Sequence, residues 1–113
     1  MQPTVRMLMI EVLEEAGYFV IEAVDGVAGL KILQSDVSIA LLITDVGLPG
    51  GLNGRQVAEA ARETRPNLKV LFVTGFAENA AVGHGHLDVG MQVIAKPFVV
   101  TALANKAREM IEG

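Results

Sequence analysis

The chain has 113 residues, of which 51% are hydrophobic and 19% are charged, with 12 Gly and only 4 Pro. This length predicts one domain, and this composition excludes an intrinsically disordered protein. The absence of Cys from the sequence excludes a disulfide framework and a thiolate metal site. The net charge of −4, with one Tyr and no Trp, argues against nucleic acid as a partner, because binding phosphates needs a basic surface and stacking bases needs aromatic side chains.

Membrane association is also not expected. The longest apolar runs, residues 39–43 and 70–73, are far shorter than the roughly 18 residues that span a bilayer. Arg6 interrupts the N-terminal apolar stretch, so that stretch does not resemble a signal peptide. We therefore expect a cytoplasmic location.

The first part of the chain is predicted to alternate helix and strand. A stripe of apolar residues at helical spacing predicts a first helix that ends at Gly17; its members are Val5, Leu8, Met9, Val12, Leu13 and Ala16. Tyr18–Val24 predicts a short strand, and Asp25–Gln34 a second helix. Ile39–Thr44 is a continuous apolar run, which is typical of a strand buried on both faces.

The second part continues the same alternation. The predicted elements are, in order, a Gly- and Pro-rich turn at Val46–Gly54, a helix from Arg55 to about Arg65, a buried strand at Leu68–Val73, a short, mobile helix and loop from Ala77 to about Met91, a strand at Gln92–Ala95, and a helix at Val99–Ile111. This alternation predicts an α/β fold in which helices cover both faces of a parallel sheet.

Three polar residues follow three of these strands. In open parallel sheets the ligand site lies at the carboxyl ends of the strands, and here those ends carry Asp45, Thr74 and Lys96. A carboxylate, a hydroxyl and an ammonium at one edge of a sheet are suited to a site where the carboxylate becomes phosphorylated. Asp45 would attack phosphorus, the Thr74 hydroxyl would bond to one phosphoryl oxygen, and the Lys96 ammonium would neutralise another.

Five motifs make the chain resemble the receiver domains of two-component response regulators, over nearly its whole length. The motifs are Gly17-Tyr18, Ala23-x-Asp25-Gly26, Leu42-Ile43-Thr44-Asp45 with Leu48-Pro49 and Gly54, Val73-Thr74-Gly75, and Ala95-Lys96-Pro97-Phe98. The last three, in this order and at this spacing, are highly specific for that family.

The resemblance implies a flavodoxin-like, doubly wound fold with five parallel strands in the order 2-1-3-4-5. It implies a bacterial phosphorelay protein, not itself an enzyme, that accepts a phosphoryl group on Asp45. The donor would be a histidine kinase or a histidine phosphotransfer domain, and the signal would pass through a conformational change. The resemblance also implies a Mg²⁺ ion whose ligands include Asp45 and the backbone carbonyl of Gly47.

The chain departs from the family pattern at its N-terminus. Family members carry a first strand and an acidic pair just before the segment that matches Pro3-Thr4-Val5-Arg6, which places both at or before Met1. We therefore expect an N-terminally truncated receiver domain over residues 1–113, with Mg²⁺ binding weak or absent. The missing strand would leave a slot of two strand spacings, about 9 to 10 Å, beside Ile39–Thr44. We expect one of three outcomes. Tyr18–Val24 rearranges to close the slot, another chain fills it in a dimer or by strand exchange, or the protein is only marginally stable.

The second departure concerns signalling residues. Many receivers place a switching aromatic three residues before the conserved Lys, where this chain has Val93. Phe76, which follows Thr74-Gly75, resembles the aromatic of a receiver subgroup and is the candidate signalling residue in its place. The loop between Asp45 and Gly54 and the ending Ala102-Leu103-Ala104 resemble receivers fused to hybrid histidine kinases, so the chain is predicted to be a fragment of such a kinase.

Other readings compete with this one. A phosphatase of the haloacid-dehalogenase type would need a second Asp two residues after Asp45, where this chain has Gly47. His84 and His86 have no third metal ligand nearby and are predicted to be solvated loop residues. The remaining alternative is a receiver-like protein-binding module that is not phosphorylated because the acidic pair is absent.

Overall fold

Three parallel β-strands form the centre of the computed structural model, which describes residues 3–47, 51–75 and 88–113. The strands β1 (Leu41–Asp45), β2 (Lys69–Thr74) and β3 (Met91–Ala95) lie side by side in the order β1-β2-β3. These strands confirm three of the four predicted from the sequence. Their parallel order matches the last three strands of the expected order 2-1-3-4-5.

Helices cover both faces of this sheet. The described residues form four of them: α1 (Pro3–Glu15), α2 (Gly26–Leu33), α3 (Gly54–Arg62) and α4 (Val100–Glu112). Each corresponds to a predicted helix, with bounds that differ by a few residues. Pro3 stands at the first position of α1, where its missing N–H costs nothing, and Gly17 ends that helix with a φ of 98° that other residues rarely adopt.

Side-chain caps set where α2 and α3 begin. A carboxylate oxygen of Asp25 accepts a hydrogen bond from the backbone N–H of Ala28 at 2.8 Å. At α3, Asn53 and Gln56 each accept from the other's backbone N–H, which forms a capping box. Such caps satisfy N–H groups that the first turn of a helix leaves unbonded, and each contributes about 1 kcal/mol.

Side chains of β2 alternate between two hydrophobic clusters, one on each face of the sheet. Leu71 and Val73 pack with side chains of α1 and α4, whereas Val70 and Phe72 pack with side chains of α2 and α3. All four are buried. Because both faces of the strand are covered, its sequence is a continuous apolar run without polar alternation.

Long basic side chains tie the outer elements to this core. The guanidinium of Arg65 donates to the carbonyl oxygens of Leu33 at 2.6 Å, Ser35 at 2.8 Å and Val37 at 2.5 Å, and so fixes the loop between α2 and β1. The ammonium of Lys69 donates to the carbonyl oxygen of Met110 near the end of α4. None of the described helices is both long and apolar enough to cross a membrane.

The prediction of a strand at Tyr18–Val24 is wrong. Residues 18–24 follow α1 without any strand pairing to the rest of the described chain. A strand forms only where a neighbour accepts and donates its backbone hydrogen bonds, and a cavity lies between this segment and β1 instead of a paired strand. The expected rearrangement, in which Tyr18–Val24 pairs directly with β1, is therefore not what the structure has.

Two side-chain contacts hold this segment in place. Arg6 of α1 forms an ion pair with Glu22 at 3.1 Å. The hydroxyl of Tyr18 donates to a carboxylate oxygen of Glu112 at 2.5 Å, a hydrogen bond that raises the pKa of Tyr18 and lowers the pKa of Glu112. The segment is thus joined to both α1 and α4 while its backbone stays outside the sheet.

The helix and loop predicted from Ala77 to about Met91 lie mostly outside the described residues, which resume at Asp88. Met91 itself is the first residue of β3. The prediction for residues 77–87 stays a prediction.

Candidate functional site

The carboxyl ends of the three strands meet at one edge of the sheet. Asp45 is the last residue of β1 and Thr74 is the last residue of β2, while Lys96 directly follows β3. The strand register pairs Asp45 with Val73 and Thr74 with Ala95. The fold therefore brings the three polar residues singled out from the sequence to adjacent positions.

Asp45 and Lys96 are in direct electrostatic contact. The Nζ atom of Lys96 lies 3.5 Å from Oδ1 of Asp45. Asp45 is buried, with 8% of its surface exposed, whereas the Lys96 side chain is 47% exposed. The ammonium is already in place beside the buried carboxylate. It can therefore neutralise the negative charge of an anionic group that is added to Asp45 at this edge.

Thr74 is fully buried beside this pair. Its backbone carbonyl accepts a hydrogen bond from the N–H of Lys96 at 2.7 Å, which continues the β2–β3 ladder past the end of β3. The peptide bond between Lys96 and Pro97 is cis. Because Lys96 is tied to β2 by its backbone, its long side chain starts from a fixed point at the edge of the sheet.

The N-terminus of α3 lies directly against the backbone of Asp45. The N–H of Gly54 donates to the carbonyl oxygen of Val46 at 2.8 Å. A Cβ atom built on Gly54 would lie 1.9 Å from the carbonyl oxygen of Asp45, far inside any permitted contact. Only glycine fits at this position, and the close approach fixes where the chain turns after β1.

Thr44 is a site residue that the sequence analysis missed. Its hydroxyl is buried and donates to the carbonyl oxygen of Asp45 at 2.9 Å, the same oxygen that Gly54 approaches. The available signal was a hydroxyl residue at a position predicted to be buried, since such a group needs a hydrogen-bond partner. Thr44 therefore helps to fix the backbone on which the Asp45 carboxylate stands.

The described residues do not by themselves form a magnesium cage. Mg²⁺ needs near-octahedral oxygen coordination, for which proteins commonly supply carboxylates together with phosphate and water. Asp45 and the carbonyl of Gly47 are the two candidate donors, and among residues 3–47, 51–75 and 88–113 no group of three or more acidic, His or Cys residues could hold a metal ion. Asp25 lines the same cavity as Asp45, but its carboxylate caps α2.

Of the candidate signalling and histidine positions, only Val93 is among the described residues. Val93 lies within β3 and packs, partly buried, against the cluster formed by α2 and α3. Phe76, His84 and His86 lie outside the described residues. The structure thus gathers Asp45, Thr74 and Lys96, and it places Val93 inside the sheet.

A comparison with protein-family models matches the chain to the response regulator receiver domain over residues 2–108. Among curated proteins, the chain is 33% identical over 106 residues to the response regulator receiver protein CpdR of Brucella abortus, which covers 94% of this chain and 87% of that protein. It is 32% identical over 112 residues to the sensor kinase CckA of the same organism. That match covers 98% of this chain but only 12% of the kinase.

Solved structures show the same fold. A response regulator receiver protein from Sinorhizobium medicae superposes with a TM-score of 0.81 at 24% identity, covering 99% of this chain and 89% of that one. The receiver domain of the hybrid histidine kinase CckA superposes with a TM-score of 0.77 at 28% identity, covering 97% and 92%. The flavodoxin-like α/β fold expected from the sequence is confirmed.

Proposed function

The chain belongs to the response regulator receiver domain family, and we propose that it accepts a phosphoryl group on Asp45 in a bacterial two-component phosphorelay. One observation carries the proposal. The buried carboxylate of Asp45 stands at the carboxyl edge of a parallel sheet with the Lys96 ammonium 3.5 Å away. This is the arrangement that the transfer of an anionic group to a carboxylate requires.

The transfer is a displacement at phosphorus. A carboxylate oxygen of Asp45 attacks the phosphorus atom of a phosphohistidine, so that an O–P bond forms while the P–N bond breaks and its electron pair leaves on the imidazole. The Thr74 hydroxyl donates to one phosphoryl oxygen. Lys96 neutralises the charge gathered on another, and its shift toward that oxygen couples the acyl phosphate to β3 and α4.

The phosphoryl donor is proposed to be a histidine kinase or a histidine phosphotransfer domain. The similarity to CckA, a hybrid histidine kinase, supports such a partner and supports a role as the receiver segment of a kinase of that type. The similarity to the response regulator receiver protein CpdR, over most of that protein, supports the role of phosphoryl acceptor itself. Both relatives come from a bacterium, which supports a bacterial setting. The cytoplasmic location stays a prediction.

Replacing Lys96 with Ala is expected to slow phosphorylation about fivefold. A charge-assisted hydrogen bond contributes about 1.5 to 3 kcal/mol, and the half-exposed position of Lys96 reduces this to about 1 kcal/mol. The measurement is the initial rate of labelling from a phosphorylated histidine phosphotransfer protein. Lys31→Ala, at an exposed position on α2, is the control and should leave the rate unchanged, and equal rates for Lys96→Ala and the unaltered chain would contradict the role of the ammonium.

Members of this family generally bind Mg²⁺, and we propose that residues 1–113 alone bind it weakly. One carboxylate and one carbonyl leave most of the octahedral positions to water, so the expected dissociation constant is weaker than about 1 mM. Calorimetric titration of the chain with MgCl₂ measures this constant, with Asp45→Asn as a control that should weaken it further. Micromolar binding would show that the donor set is larger than Asp45 and Gly47.

A second candidate is a protein-binding module that is not phosphorylated. It is favoured by one observation, the lack of an acidic cluster among the described residues. The labelling experiment separates the two functions. A module that acts by contact alone would take up no label from any phosphohistidine donor, whereas a receiver would take it up on Asp45.

A further inference from the structure

Thr44 is the polar residue that precedes Asp45 on β1. It follows the apolar run of residues 41–43 and pairs in register with Phe72 of β2. Thr44 is 8% exposed, so its hydroxyl has little access to water. A buried hydroxyl costs free energy unless it forms a hydrogen bond, and a valine side chain of nearly the same shape would fill this place without that cost. Packing alone therefore does not account for a hydroxyl at this position.

The Thr44 hydroxyl lies where the end of β1 meets the start of α3. It donates to the carbonyl oxygen of Asp45 at 2.9 Å. A Cβ atom built on Gly54 would lie 2.9 Å from this hydroxyl oxygen and 1.9 Å from that carbonyl oxygen. The peptide group that follows Asp45 is therefore enclosed between the side chain of Thr44 and the first residue of α3.

Three hydrogen bonds fix the backbone that follows the Cα atom of Asp45. The first is the bond from the Thr44 hydroxyl to the carbonyl of Asp45. In the other two, the N–H of Val46 donates to the carbonyl of Val73 at 3.2 Å, and the carbonyl of Val46 accepts from the N–H of Gly54 at 2.8 Å. These two bonds join backbone atoms. Only the first comes from a side chain, so a substitution at Thr44 can remove it while the backbone groups of the other two stay in place.

The direction of the Asp45 side chain depends on the peptide groups on both sides of its Cα atom. The bonds of Cα are tetrahedral, so the positions of the backbone N and C atoms determine where Cβ points. The strand register with Val73 fixes the peptide group before Asp45. The Thr44 hydroxyl holds the carbonyl of the peptide group after it. Thr44 therefore acts, through the backbone, on the direction in which the carboxylate points.

We propose that Thr44 is a positioning residue for phosphoryl transfer, whose hydroxyl holds the backbone of Asp45 so that the carboxylate is aimed at phosphorus. This inference rests on the proposed function, because it concerns the same reaction. The attacking oxygen must lie close to phosphorus and in line with the bond that breaks, and a misplacement of about 1 Å can slow a reaction about 100-fold. Since Thr44 is uncharged and buried, it acts on the rate of attack and not on the docking of the donor protein.

The first test measures labelling of Thr44→Val and of the unaltered chain over a range of concentrations of a phosphorylated histidine phosphotransfer protein. The limiting rate should fall about fivefold or more, while the donor concentration at half the limiting rate stays within about twofold. Thr44→Ser keeps the hydroxyl and should restore the limiting rate to within about twofold of the unaltered chain.

Thr64→Val is the matched control for Thr44→Val. It also removes a hydroxyl that donates to a backbone carbonyl, that of Ala61 at 3.2 Å, but it does so just past the other end of α3. It should label like the unaltered chain.

A second pair of variants decides the question if Thr44→Val does not fold. Thr44→Ala and Thr44→Ser both lack the methyl group of threonine and differ from each other only in the hydroxyl. Thr44→Ala should label about fivefold more slowly than Thr44→Ser. Circular dichroism of each variant under the assay conditions shows that the rates compared are those of folded chains.

Amide hydrogen exchange tests the same contact without phosphorylation. The N–H groups of Val46 and Gly54 hold the backbone next to the Asp45 carbonyl. Their exchange should be about threefold faster or more in Thr44→Val and unchanged in Thr44→Ser. If the unaltered chain takes up no label, the proposed function fails, and these exchange rates still decide whether Thr44 holds this backbone. Equal limiting rates for Thr44→Val and the unaltered chain, a serine variant as slow as the valine variant, or unchanged exchange in Thr44→Val would each overturn the proposal.

Discussion

Replacing Asp45 with Asn is expected to reduce phosphoryl labelling of the chain to background. The amide cannot act as the nucleophile. The other described carboxylates at the cavity are engaged elsewhere, Asp25 in capping α2 and Glu22 in the ion pair with Arg6. The measurement is transfer of ³²P from a phosphorylated histidine phosphotransfer protein in the presence of millimolar Mg²⁺, followed by an acid- and base-lability test for an acyl phosphate. The same variant should keep its fold, because an ion pair whose cation is half-exposed contributes at most about 1 kcal/mol.

Asp36→Asn is the matched control for this experiment, because it makes the same change at an exposed position outside the site. It should label like the unaltered chain. Label that persists in Asp45→Asn would place the phosphoryl group elsewhere. An unaltered chain that takes up no label would favour the protein-binding module.

Replacing Gly54 with Ala is expected to destabilise the protein by about 2 to 4 kcal/mol. The added Cβ would lie 1.9 Å from the carbonyl oxygen of Asp45, and a backbone oxygen cannot rotate away as a flexible side chain can. The start of α3 must therefore move, and the hydrogen bond from the Gly54 N–H to Val46 lengthens or breaks. The gain in helix propensity, about 1 kcal/mol for Gly to Ala, is too small to offset this displacement.

Urea unfolding followed by circular dichroism measures this loss, as a shift of the midpoint at constant slope. Gly51→Ala in the same loop is the control, since a Cβ there meets no atom of the described residues within 4 Å. Its stability should stay within about 0.5 kcal/mol of the unaltered chain. Equal midpoints for the two variants would show that the backbone of Asp45 and α3 yields easily at this contact.

The helices and the three paired strands could be predicted because their causes are local. An apolar stripe at helical spacing defines α1 whatever lies around it, and Pro3 and Gly17 mark its ends by their backbone preferences. The run from Leu68 to Val73 predicts a strand buried on both faces, and β2 is one. The positions of Asp45, Thr74 and Lys96 followed as well, since parallel strands end at one edge.

The segment Tyr18–Val24 shows where local pattern fails. Its aromatic and β-branched residues favour a strand. A segment forms a strand only when a neighbouring strand pairs with it, however, and here a cavity lies between the segment and β1. Phe19, Ile21 and Val24 are exposed in consequence. No property of the segment itself could predict this result.

The sequence by itself determined the helices, the buried strands and the polar residues at the strand ends, because spacing, capping and hydrophobic runs act over a few neighbouring residues. Only the tertiary structure decided that Gly54 must be glycine against the carbonyl of Asp45, that Thr44 bonds to that same oxygen, and that Arg65 holds three carbonyls near α2. It also decided that β1 pairs, within the described ranges, with β2 alone. These features depend on distances between segments far apart in the chain, which packing sets.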